Sequence, residues 1–149
     1  MSLPKPFEEY VKKRIVRKVT PDKSRAVFLI GESDSSLEGL NERLEKVGIN
    51  EKKANSIIKD CYDIMLELIR ARLLLEGYAA AGLGAHEAEI SYMSKLGFSD
   101  REVDFLNEVR YYRNSVTYYG KILDKDYAGM VVKFLTDIHV RLHKAASSK

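Results

Sequence analysis

Two arginines, an asparagine, four tyrosines and a lysine lie between Arg110 and Lys121, inside one predicted helix. Leu106, Val109, Arg113 and Val116 recur at helical spacing, which turns the Arg113 guanidinium toward the apolar face. A cation that cannot lose its proton, set on such a face, needs either a carboxylate from another helix or an anionic ligand such as phosphate. Asp60, Asp63 and Glu67, one helix earlier, are the carboxylates that could serve. Asn114 and Tyr118 are four apart and share a face, while Arg110, Arg113 and Thr117 cluster on the neighbouring strip. The chemistry that fits is recognition or cleavage at a phosphodiester. Arg113 would steady the negative charge, Asn114 would orient an oxygen, and a neighbouring group would move a proton, with Arg110 and Lys121 adding phosphate contacts at the edge. Tyr118 is poorly suited to that last step, since an unperturbed phenol titrates at about 10.

Tyr111, Tyr112, Tyr118 and Tyr119 form two pairs seven residues apart, so they spread amphipathic surface along one side of the helix. Such a surface suits a symmetric dimer interface better than stacking on bases, and Tyr111, Tyr112 and Tyr119 are the predicted interface residues. Other polar groups carry less. His139 and His143 share a helical face but lack a third ligand nearby, so no metal is expected. His86-Glu87 meets Ile90 where a zinc-protease helix needs its second histidine, and Gly82-Leu83-Gly84 lacks the lysine of a phosphate-binding loop. Cys61, the only cysteine, lies on an apolar seam and reads as a buried, inert thiol. No cofactor is expected.

These residues are positioned by helices throughout. Phe7 to Val19 has helical periodicity with its cations on the far side. Thr20 and Pro21 supply an N-cap and a first-turn proline for a second helix, whose seam runs Ala26, Ile30, Ser33, Leu37, Leu40, Leu44, Val47 to Gly48. Gly31, Gly39 and the polar run 32–36 weaken its middle, where a bend or a break is expected. Asn50 precedes a third helix with a wide apolar face, from Ala54 to Tyr78, the expected centre of the core. Ala79 to Ala85 reads as a loop, His86 to Leu96 as a short helix closed by Gly97, and Ser99 with Glu102 as a capping box for the helix that carries Arg113. The last helix runs from about Asp126 to Lys144, and no segment reads as a strand. The expected fold is all-α: an up-and-down bundle of four long helices with one or two short accessory helices. One domain spans 1–149, with residues 1–20 as a basic accessory helix and 21–145 as the bundle core.

Composition agrees with a globular protein, at 45% hydrophobic and 32% charged residues. The longest apolar run, Leu73 to Ala85, is interrupted by Glu76 and three glycines and is no membrane span. No secretory h-region stands near Met1, and a cytoplasmic location is expected. The net charge of +3 is unevenly placed: residues 1–25 hold eight Lys/Arg against three carboxylates. That patch reads first as a solvated helix face and second as an attractor of nucleic acid or an acidic partner.

The helix order, the glycine-containing turn with His86 after the long central helix, and Leu106 to Lys121 bearing Arg113-Asn114 together resemble the HEPN domains (higher eukaryotes and prokaryotes nucleotide-binding). The resemblance implies a HEPN-like bundle and a site formed across a homodimer. Family members carry an arginine, a polar residue and a histidine about five positions after the arginine, which form a metal-independent RNase site. Arg113 and Asn114 match the first two, and Tyr118 stands at the histidine position, making the chain a divergent member. The resemblance therefore implies binding of nucleotide or RNA, with RNase activity degenerate or absent. It also implies a two-protein toxin–antitoxin or related system with a small nucleotidyltransferase partner. The reading from another class is a non-enzymatic helical dimer that serves as a protein-interaction module.

Overall fold

A computed structural model describes residues 3–119 and 123–148, with the side chains of 115–119 outside the description. The described chain is all-α apart from one small ribbon, and its order is α1 (Phe7–Lys12), β1 (Val16–Lys18), α2 (Lys23–Lys46), α3 (Ala54–Leu75), β2 (Tyr78–Ala80), α4 (Ala85–Ser91), a 3-10 turn (Tyr92–Leu96), α5 (Asp100–Tyr119) and α6 (Lys125–Ser147). Four helices are long, as the three-four spacing requires. No described helix is long and apolar enough to cross a membrane.

α3 is the centre. Ile58, Ile64, Met65, Leu68 and Ile69 are each no more than 1% exposed, and α2, α5 and α6 pack around them. Residues of every helix join one core cluster, including Leu40 from α2, Leu106 and Val109 from α5, and Val131, Ile138 and Leu142 from α6. Cys61 belongs to the same core at 0% exposure, and desolvation pushes its thiol up to about 12, so the inert reading holds.

α2 is continuous where a bend was predicted. Its seam Ala26, Ser33 and Leu40 repeats every seven residues and is buried along α3, while the polar run 34–36 faces solvent. Ser33 Oγ donates to the Ile64 carbonyl at 3.0 Å, so the one polar group on the seam is satisfied. The helix begins at Asp22 rather than Thr20: the Asp22 carboxylate accepts the Arg25 N–H at 3.0 Å. Gly48 closes its far end at φ +74. The capping box predicted for α5 is formed, with Ser99 Oγ accepting the Glu102 N–H at 3.2 Å and Glu102 accepting the Ser99 N–H at 3.0 Å.

The first segment departs most from expectation. α1 stops at Lys12 because Arg14 adopts φ +60, and the bonds from Ile15 N–H to Tyr10 O (3.0 Å) and Arg14 N–H to Val11 O (3.1 Å) close it as a Schellman turn. The chain then extends as β1, antiparallel to β2, with Val16 opposite Ala80, Arg17 opposite Ala79 and Lys18 opposite Tyr78. Thus the 79–85 segment begins as a strand. Gly77 permits this: it is held at φ +82, and a Cβ there would sit 2.9 Å from the Val19 carbonyl oxygen, too close for a side chain.

Candidate functional site

α4 enters the molecule between α3 and α5, and its residues collect the charges that those helices present. Ala85, Ala88 and Glu89 share its inner face by helical spacing, so Glu89 is carried inward and is 2% exposed. Arg70, on α3, meets it as a fork: Nε donates to Glu89 at 2.7 Å and Nη2 at 3.0 Å. This bond raises the Arg70 pKa further above its already high value.

His86, on the outer side of α4, lies at the middle of the site. Its Nδ1 is 3.3 Å from the hydroxyl of Tyr62, a side chain only 1% exposed, and the two rings are nearly parallel at 16°. Burial raises the Tyr62 phenol, which keeps its proton. His86 itself is exposed at its rim, yet its pKa lies below 6.5: partial desolvation acts first, and the charges of Arg70, Arg113 and Arg110 add to it against the opposing pull of Glu89. The imidazole is therefore neutral at neutral pH and can accept a hydrogen bond or a proton.

α5 supplies the other cations. Arg113 is carried to the edge of the core by the buried Leu106 and Val109, and its guanidinium stands over the Tyr62 ring at 5.3 Å. Asp63 Oδ1 is 3.8 Å from its Nη2, longer than a hydrogen bond, and the Arg113 side chain keeps 28% of its exposure. One of the carboxylates named in the sequence analysis, Asp63, thus stands beside Arg113. Desolvation holds Asp63 above its usual range, with the Arg113 charge opposing. Arg110 donates from Nε to the Oδ1 of the fully buried Asn107 at 2.8 Å and lies 3.6 Å from Glu87. Glu87 in turn accepts the Tyr10 hydroxyl at 2.8 Å, and burial with this bond pushes that phenol up to about 12.

Two clefts meet at His86 and Arg70. One, of about 310 Å³, includes Arg25, Tyr78, Ala79 and Glu89. The other, of about 340 Å³, includes Asp60, Asp63, Glu67 and Ser36 and is acidic. Among the described residues no three His, Cys, Asp or Glu side chains are placed to hold a metal ion. The rings of His139 and His143 lie 5.6 Å apart on α6, tilted by 44°, with His143 Nε2 3.1 Å from Asp34.

The other predicted residues are distributed as follows. Asn114 is exposed on α5. Tyr111 is 49% exposed, whereas Tyr112 packs edge-on against Tyr127 at 5.6 Å within the chain's own aromatic cluster. The side chains of Tyr118 and Tyr119, and Lys121 altogether, lie outside the described residues. His86, Arg70, Glu89 and Tyr62 were not among the predicted site residues. Glu89 carried a legible signal, a charge on the apolar stripe of its helix, of the same kind as that of Arg113.

Fold and site together define an all-α helical protein in which two clefts meet at Arg70 and a neutral imidazole, His86. No family model, curated protein or solved structure matches the chain.

Proposed function

We propose that this chain is a HEPN-like nucleotide- or RNA-binding protein whose anion site lies where α3, α4 and α5 meet, and that it works as a homodimer in a two-protein toxin–antitoxin or nucleotidyltransferase-associated system. One observation carries the reading: His86, which with Arg70 lines two adjoining clefts, feels the guanidinium charges of Arg70 on α3 and of Arg110 and Arg113 on α5. Fixed planar cations beside a neutral acceptor suit a phosphate, which takes charge-assisted hydrogen bonds from the first and one hydrogen bond from the second. With Tyr118 at the motif histidine position, binding is the activity proposed, and RNA cleavage is degenerate or absent.

The test compares wild type with Arg113→Ala in RNA binding by fluorescence anisotropy and in RNA cleavage, at low salt and without divalent cations. Loss of one charge-assisted contact should weaken binding by about 10- to 100-fold. Equal binding by both proteins removes Arg113 from the site. The dimer is tested separately by light scattering, where a mass near one chain at micromolar concentration contradicts it. The exposed Tyr111 favours the second reading, a helical interaction module, which stands if RNA binding is absent and the dimer present.

A further inference from the structure

We infer that Arg25 and Arg70 form a second phosphate subsite in the 310 Å³ cleft beside His86, so that the ligand is a single-stranded polynucleotide held at successive phosphates on either side of the imidazole rather than a lone nucleotide. This rests on the anion-site reading above and goes beyond it in naming the ligand's length and path.

Arg25 projects from the first turn of α2 and is exposed. Asp22 takes only its backbone N–H, and among the described residues its guanidinium has no carboxylate partner. Arg70 shares the cleft. Its Nε and Nη2 are committed to Glu89, and Nη1 lies outside that fork. Glu89 balances Arg70, so the charge of Arg25 is the uncompensated one on this side of His86. Beyond the cleft the cations continue: Arg17 and Lys18 are exposed on β1, opposite Ala79 and Tyr78 of β2, which line the cleft.

The opposite side of His86 has the reverse character. Asp60, Asp63 and Glu67 stand along α3 in the neighbouring cleft, and Asp63 and Glu67 are both held above the usual carboxylate range by desolvation. A polyanion seated with one phosphate at Arg110 and Arg113 meets repulsion on that side and attraction over Arg70 toward Arg25 and the ribbon. A mononucleotide reaches only the first position, whereas a chain reaches both.

The experiment measures binding of a labelled oligouridylate of a dozen nucleotides, of uridine monophosphate and of a poly-glutamate peptide to wild type and Arg25→Ala, across a salt series. Because the exposed Arg25 side chain forms no ion pair or hydrogen bond among the described residues and its capping N–H is backbone, the variant folds, as circular dichroism will verify. Arg25→Ala should weaken the oligonucleotide about tenfold and reduce its logarithmic salt slope by about 0.7, the value for one single-strand phosphate, while leaving the mononucleotide unchanged. An unchanged oligonucleotide affinity and slope, or an equal loss for oligonucleotide and mononucleotide, overturns the second subsite alone. Poly-glutamate binding as tight as the oligonucleotide overturns the polynucleotide assignment. A wild type that binds no nucleic acid overturns the anion-site reading and this inference with it.

Discussion

Arg70→Ala should destabilise the fold by about 3 kcal/mol, a large effect for a residue whose side chain keeps 33% of its exposure. The reason lies in its partner. Glu89 is 2% exposed and accepts both bonds of the fork, 2.7 and 3.0 Å long, so deleting the guanidinium strands a carboxylate inside the protein. Breaking a buried pair in this way costs about 3–5 kcal/mol, and the lower end applies because water can enter where Arg70 stood. For a chain of this size the loss corresponds to about 6–12 °C in Tm. Arg70→Lys keeps the charge but not the fork, and losing one of two charge-assisted bonds should cost about 1.5 kcal/mol. Urea unfolding at neutral pH measures both. A second readout separates charge from packing: protonation relieves the stranded carboxylate, so the Arg70→Ala deficit narrows in acid, which a loss of van der Waals contacts would not do. A deficit below about 1 kcal/mol at neutral pH, or one that stays constant into acid, would falsify the reasoning.

Gly77→Ala should cost about 1–3 kcal/mol, because the residue is held at φ +82 and its new methyl would meet the Val19 carbonyl; an unchanged urea midpoint contradicts the ribbon geometry. His139 is held below its ordinary value of 6.5, by desolvation first and by His143 second, against Asp34. A depressed histidine contributes stability that is complete above 6.5 and is lost as pH falls through its folded value, so urea midpoints should drop across that window and drop less in His139→Gln. The same slope in variant and wild type rules out His139 as a source.

The long helices were legible because their burial follows one period over twenty residues or more, as in Ala54 to Leu75. The ribbon was not, since a three-residue strand has too few positions to show a period of two, and Ile15 and Val19 on either side of it continued the helical pattern of Phe7, Tyr10 and Val11. The bend predicted for α2 came from propensity, and tertiary burial of Ala26, Ser33 and Leu40 outweighed it. Of the site, the need of Arg113 for a counter-charge was readable from one charged residue on an apolar face, but not which of Asp60, Asp63 and Glu67 would stand nearest; Asp63 does. Arg70 and Glu89 are nineteen positions apart on different helices, and only the packing of α4 against α3 brings them together. The role of His86 likewise depends on Tyr62 behind it, twenty-four positions earlier.

The central claim is that a phosphate-bearing ligand binds against His86 on the side of Arg110 and Arg113. The most direct test is an NMR titration of the His86 imidazole, assigned with His86→Gln, in the presence and absence of the oligouridylate. In the free protein His86 should titrate below 6.5, and bound phosphate should raise it by offsetting the guanidinium charges. An imidazole that titrates at its ordinary value, or one unmoved by an oligonucleotide that does bind, would contradict the account.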